Sequence, residues 1–245
     1  NTTGTQNVAV GSLALDANTT THDSVAVGYA ALTTATVGTN TAVGSEAMQY
    51  TTSGANNVGV GLQALRANTT GTGNTAVGQG AGIAVTTGSN NTIVGKLAGD
   101  AITTGNTNVA IGTNAMTTNT VGDRNVAVGH AALALYIPSS NEDSYNVAVG
   151  YNALYTDTTG KNNTAVGGNS LLLNTTGGNN VAVGTGSLTF NTTASNNTGV
   201  GYLALNANTT GHSNIAVGGY ALTANTTAIY NTALGYAALG TNTTG

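Results

Sequence analysis

The side chains that could perform acid–base or metal chemistry are few in this 245-residue chain. A glycosidase needs two carboxylates about 5–10 Å apart, and a zinc site needs several His, Cys or carboxylate ligands together. The chain has no cysteine, and its three histidines are far apart in sequence. The acidic residues are Asp16, Asp23, Glu46, Asp100, Asp123, Glu142, Asp143 and Asp157. Only Glu142 and Asp143 are neighbours, so we expect no enzyme activity, no metal and no cofactor.

The composition excludes two further classes of function. Charged residues make up 5% of the chain, compared with about 25% in ordinary domains, and the net charge is −4. Only four basic residues occur, so the chain lacks the basic patch that nucleic-acid binding requires, and we expect no nucleic-acid partner. No apolar run approaches the roughly 18 residues that a membrane span needs.

A tandem repeat of about 17 residues extends through the whole chain. Its most regular residue is a glycine that follows Val or a similar residue; we call it the repeat glycine and count other positions from it. The repeat glycines are Gly11, Gly28, Gly44, Gly61, Gly78, Gly95, Gly112, Gly129, Gly150, Gly167, Gly184, Gly201, Gly218 and Gly235. Eleven of the thirteen intervals are 17 residues long, and the others are 16 and 21.

The positions of the repeat predict an all-β fold. Positions −3 to −1 form a short run of β-branched and small residues before glycine, which is typical of a strand that ends in a bend. The recurring Asn-Thr-Thr-Gly segment is typical of a turn. We therefore predict a parallel β-solenoid of about 14 coils, each with two short strands and two turns. Helical repeats are disfavoured, because they need about 33 residues or more.

The whole chain is interpreted as one repeat domain. The 17-residue pattern extends over residues 1–245, so we expect a single repeat domain there. The chain begins and ends in the same Asn-Thr-Thr-Gly segment, which suggests a piece of a longer protein. Repeat eight carries an insertion, residues 135–145, whose proline and paired acids favour an exposed loop.

Position −4 is asparagine in every repeat except one, which has Ser24. Parallel stacking places equivalent side chains above one another at about 4.8 Å. We therefore predict a structural ladder of side-chain amides along the solenoid. Its members are Asn7, Asn40, Asn57, Asn74, Asn91, Asn108, Asn125, Asn146, Asn163, Asn180, Asn197, Asn214 and Asn231.

The apolar positions suggest which side chains form the core. Val at −1 and Leu at +4 are almost never polar, so both are expected inside, with the alanines at −2 and +3 facing outward. Gly82 and Gly99 replace the Leu at +4 in two repeats, and the same repeats carry Val85 and Ile102 at +7. We expect Val85 and Ile102 to point inward and fill the missing volume. The outward alanine ladders would pack against a neighbouring chain, although a lone solenoid is the alternative.

The motif resembles a known family of repeats. Residues 7–11, 74–78 and 180–184 read Asn-Val-Ala-Val-Gly or Asn-Thr-Ala-Val-Gly. They are similar to the YadA-like head repeats of trimeric autotransporter adhesins, especially to a longer variant in bacterial surface proteins and phage tail fibres. The resemblance implies a left-handed parallel β-roll, a homotrimer, and an extracellular location on a cell surface or virion.

Exposed tyrosines are candidates for weak contacts with a receptor or host glycan. Four of them share position +1 and two belong to the insertion. They are Tyr29, Tyr136, Tyr145, Tyr151, Tyr202 and Tyr236.

The sequence favours a structural or adhesive fibre segment that acts as a rigid spacer and display surface. Two alternatives stay open. The threonines at +8 could form an ice-binding ladder (Thr19, Thr69, Thr86 and Thr209). A phage polysaccharide depolymerase would instead need clustered acids between chains.

Overall fold

Each repeat contributes one short strand. The computed structural model describes residues 3–36 and 38–243, and it contains strands and turns but no helix within those ranges. The strands are β1 (Val8–Val10), β2 (Val25–Val27), β3 (Asn40–Val43), β4 (Asn57–Val60), β5 (Thr75–Val77), β6 (Thr92–Val94), β7 (Val109–Ile111), β8 (Val126–Val128), β9 (Val147–Val149), β10 (Thr164–Val166), β11 (Val181–Val183), β12 (Thr198–Val200), β13 (Ile215–Val217) and β14 (Thr232–Leu234).

The chain divides into two compact units, residues 1–123 with β1–β7 and residues 124–245 with β8–β14. Within each unit the strands pair in parallel and in sequence order, so that Ala165 of β10 lies opposite Ala182 of β11. The register survives the longer interval, because Val126 still pairs with Val147. The predicted all-β, parallel β-solenoid with a period of about 17 residues is confirmed.

The expectation of two strands per coil is wrong, because only positions near −3 to −1 are extended. The other wall of the coil alternates in handedness. Positions +2 and +4 have φ near +50 to +60°, as in Leu203 (φ 54°) and Leu205 (φ 52°). A strand cannot contain such left-handed residues, so this wall consists of successive turns.

The core differs from the sequence prediction in one respect. Leu at +4 is buried as predicted, and Leu32 has no exposed surface. The alanines at −2 and +3, such as Ala26 and Ala31, are also fully buried, whereas Val at −1 lies on the outer face, with Val183 36% exposed. The predictions that Val faces inward and both alanines outward are wrong.

The narrow interior explains why alanine occupies the core side of the strand. At Gly59, which takes the −2 position, an added Cβ would lie 2.9 Å from Cγ of Met48. The interior at this position therefore has room for a methyl group at most beside a full-sized residue at +4. The larger Val at −1 is left on the outside of the same strand.

The exceptions obey the same volume rule. Val85 and Ile102 are fully buried, which confirms that they point inward. An added Cβ at Gly82 would lie 2.8 Å from Cδ1 of Ile93, and one at Gly99 would lie 2.9 Å from Cδ1 of Ile102. These isoleucines occupy the space that Leu fills in other coils.

The repeat glycine is required by a close approach between successive coils. At Gly167 φ is +130°, and an added Cβ would lie 2.7 Å from the carbonyl carbon of Gly184. Only glycine adopts this conformation readily, and only glycine avoids the collision.

Candidate functional site

The asparagines at −4 link each coil to the next. Asn163 is representative: its Oδ1 accepts a hydrogen bond from the backbone N–H of Asn180 at 3.0 Å, and its Nδ2 donates to the carbonyl of Gly177 at 2.8 Å. Equivalent bonds recur within both units, and the side chains are buried except near the ends of the strand series, at Asn7 and Asn231. Each amide therefore satisfies backbone groups of the following coil, where no water reaches them.

Serine replaces the amide once without interrupting the ladder. The backbone N–H of Ser24 donates to Oδ1 of Asn7 at 3.0 Å. The Ser24 hydroxyl donates to the carbonyl of Gly38 at 3.1 Å and accepts from the N–H of Asn40 at 3.3 Å. One hydroxyl thus performs both amide functions over a shorter reach.

A second buried ladder, at position +7, was missed by the sequence prediction. Here the asparagine that begins Asn-Thr-Thr-Gly points into the core, and Nδ2 of Asn208 donates to Oδ1 of Asn191 at 3.0 Å. The same amide closes its own turn, since the N–H of Gly122 donates to Oδ1 of Asn119 at 2.8 Å. The sequence signal was present, but it was interpreted only as a turn. The buried asparagines of this ladder are Asn18, Asn68, Asn119, Asn174, Asn191, Asn208 and Asn225.

The structure corrects one candidate glycan contact. Tyr136 has no exposed surface, because it occupies position +7 and fills the core where other coils place asparagine. Its assignment as a surface contact is therefore wrong. The other candidates are 51–79% exposed; they are Tyr29, Tyr145, Tyr151, Tyr202 and Tyr236.

Two groups of aromatic rings lie on the surface of the second unit. His130 stacks on Tyr151 with ring centroids 5.4 Å apart. Tyr220 meets Tyr202 edge-on at 5.3 Å and Tyr236 at 5.7 Å. Tyr220 was missed because it occupies position +2 rather than +1. These rings provide apolar faces on which a sugar ring could stack.

The insertion is held in place by ion pairs. Arg124 pairs with Asp143, and Nζ of Lys161 lies 2.7 Å from a carboxylate oxygen of Glu142. The hydrogen bond from Lys161 lowers the pKa of the fully exposed Glu142. The hydroxyl of Tyr145 donates to Asp143 at 3.0 Å. Both carboxylates of the insertion thus have basic partners and form an ordered surface.

The outer side of the strands forms an apolar surface in each unit. It consists of the side chains at −3 and −1, which are valine, threonine, isoleucine or leucine in every repeat. We call it the Val/Thr face. Its exposed members include Val10 (56%), Val77 (38%) and Ile215 (45%).

The threonines at +8 are used within the wall of the solenoid. The hydroxyl of Thr69 donates to the carbonyl of Thr86 at 3.1 Å, and that of Thr209 donates to the carbonyl of Thr226 at 3.0 Å. Both side chains are half-buried. Their donor hydrogens are thereby committed to backbone carbonyls.

In the part of the chain that the structure describes, no three His, Asp or Glu side chains come close enough to hold a metal ion. The same residues include no helix with the length and apolar character to cross a membrane. No protein-family profile, curated protein or solved structure matches the chain.

Proposed function

We propose that this chain is a structural and adhesive segment of an extracellular fibre, such as a bacterial surface adhesin or a phage tail fibre. The Asn ladder at −4 carries the proposal. Buried hydrogen bonds that recur in every coil resist bending and local opening within each unit, as a spacer requires. The near absence of charge and of clustered acids supports display rather than chemistry.

The proposed partner is the chain itself, in a homotrimer. The alanine ladders cannot form the interface, because they are buried. The Val/Thr face takes their place: it is apolar, it carries no charged residue at −3 or −1, and it recurs in every coil. Apolar side chains on a regular surface favour association with a copy that presents the same spacing.

Sedimentation equilibrium tests the trimer. Val183→Lys places a charge on the Val/Thr face and is expected to convert the trimer to a monomer, since a buried unpaired charge opposes association. Thr176→Lys is the control, because Thr176 is exposed on another side of the coil. A wild-type chain that sediments as a monomer at all concentrations would contradict the proposed partner.

The adhesive part of the proposal depends on the exposed tyrosines. Beads coated with the purified chain should bind a neutral host-glycan panel weakly, and Tyr202→Ala together with Tyr236→Ala should reduce this binding. Tyr29→Ala, on a distant coil with a lone ring, serves as the matched comparison. Binding that is unaffected by removing any of these rings would contradict the assignment.

The ice-binding alternative has less support than the fibre. An ice-binding array needs hydroxyls that face water, and the +8 threonines donate to backbone carbonyls instead. For the depolymerase, no cluster of acids lies on a described surface.

A further inference from the structure

One residue of the +7 ladder is an acid instead of an amide. Asp157 replaces asparagine in the coil that follows the insertion, and it has no exposed surface. Its Oδ1 accepts hydrogen bonds from the N–H of Gly160 at 2.9 Å and from Nδ2 of Asn174 at 3.2 Å. Its Oδ2 is buried and has no hydrogen-bond partner.

The neighbouring coils indicate what Oδ2 replaces. Nδ2 of Asn174 donates to the carbonyl of Gly177 at 2.9 Å, and Nδ2 of Asn208 donates to the carbonyl of Gly211 at 2.8 Å. The corresponding atom of Asp157 is an oxygen. An ionised carboxylate has no hydrogen to donate there, whereas a protonated carboxyl group can donate like the amide.

The surroundings offer no positive charge to stabilise an ionised Asp157. The preceding coil presents Tyr136, the insertion presents Glu142, which pairs with Lys161, and the following coil presents the amide of Asn174. Burial raises the pKa of Asp157 to about 7 against the hydrogen bonds from Gly160 and Asn174. The neutral form therefore fits this position better than the charged one.

Asp157 also lies next to the attachment of the insertion. The backbone N–H of Ile137, at the start of the insertion, donates to the carbonyl of Thr158 at 2.8 Å. Tyr136 and Asp157 occupy the same +7 position in successive coils. Loosening the coil around Asp157 would release the contacts that hold this end of the insertion.

We propose that Asp157 is a pH-sensitive switch for the insertion: neutral, it completes the +7 ladder, and ionised, it opens the coil that holds residues 135–145. The display role of the insertion rests on the proposed function, but the switch itself does not. The carboxyl group of the open form titrates near its ordinary value of 3.8, below that of the closed form. The closed form is thus favoured fully below about pH 4, is lost across the window up to about pH 7, and changes little above it. Across that window the closed-to-open equilibrium falls about tenfold per pH unit, as release of one proton requires.

Hydrogen exchange of the Ile137 amide between pH 4 and 8 tests the switch, after correction for the intrinsic exchange rate. In the wild type the protection factor should fall about tenfold per pH unit across the window. Asp157→Asn restores the amide, so its protection factor should be higher at pH 8 and nearly independent of pH. Asp23→Asn removes an exposed acid instead and should retain the wild-type profile.

A second variant tests the geometry independently of the insertion. Asn208→Asp places the same acid in another coil of the ladder, where it should create a new pH-dependent loss of protection around Gly211. Identical pH profiles for the wild type and Asp157→Asn, or a flat profile for Asn208→Asp, would overturn the proposal. Exchange is measured without any glycan or receptor, so failure of adhesion and failure of the switch are distinguishable.

Discussion

At the scale of single residues, this protein is determined by groups that satisfy or avoid the backbone of the next coil. An amide at −4 can accept from one coil position and donate to another, and serine at Ser24 can do the same over a shorter distance. Glycine at the repeat position permits an approach that no Cβ allows. Both requirements follow from hydrogen-bond chemistry and steric exclusion, so both are visible in the sequence.

Removing one ladder amide should lower the free energy of unfolding. Asn163→Ala leaves the buried N–H of Asn180 without its acceptor, which costs about 2 kcal/mol. Thr176→Ala, at an exposed side chain, should stay within about 0.5 kcal/mol of the wild type. Equilibrium urea denaturation measures both values. Equal stability of the two variants would mean that the ladder contributes nothing.

Two adjacent glycines provide a matched pair for the backbone. Gly167→Ala introduces a Cβ 2.7 Å from the carbonyl carbon of Gly184 at a φ of +130°, so it should cost more than about 3 kcal/mol or prevent folding. An added Cβ at Gly168 meets nothing within 4 Å, so Gly168→Ala should be nearly neutral. Circular dichroism during thermal unfolding distinguishes them; similar melting temperatures would refute the close-approach argument.

At the scale of the strand and its turns, the sequence predicted the period but not the phase of side-chain alternation. Shifting the inward set of a strand by one residue exchanges its two faces, and both Val and Ala are apolar. Hydrophobicity favoured Val inside. The deciding quantity was interior width, because Leu at +4 leaves room only for a methyl group opposite. Ile93, beside Gly82 and Gly99, was the one signal of an inward −2 position.

A double-mutant cycle tests this shared volume. Gly99→Leu places new atoms against Ile102, whose Cδ1 lies 2.9 Å from an ideal Cβ at Gly99, and should destabilise by about 2 kcal/mol. Ile102→Asn alone leaves a cavity and should cost about 3 kcal/mol.

The double variant restores the usual Leu at +4 and Asn at +7. It should be more stable than the sum of the single effects by at least about 1 kcal/mol, as measured by urea denaturation. Additive effects would mean that the two side chains do not compete for one space.

At the scale of the whole molecule, every repeat equals one coil within each unit. This equality explains why the fold tolerates a 21-residue repeat: Tyr136 continues the buried +7 position while the extra residues leave the coil as a loop. It also explains why the Val/Thr face and the exposed tyrosines recur along the chain. The insertion was predicted as a loop, but the burial of Tyr136 could not be, since two tyrosines flank the loop and either could enter the core.

Distances between spin labels test the equality of repeat and coil most directly. The chain has no cysteine, so Thr159→Cys can be paired with Thr210→Cys, three coils away, or with Thr227→Cys, four coils away. The account predicts Cα separations of about 14 and 19 Å, so that one repeat adds about 4.8 Å. Electron paramagnetic resonance measures both pairs in the native protein. A separation that does not grow by one such step when 17 residues are added would contradict the stacked-coil structure.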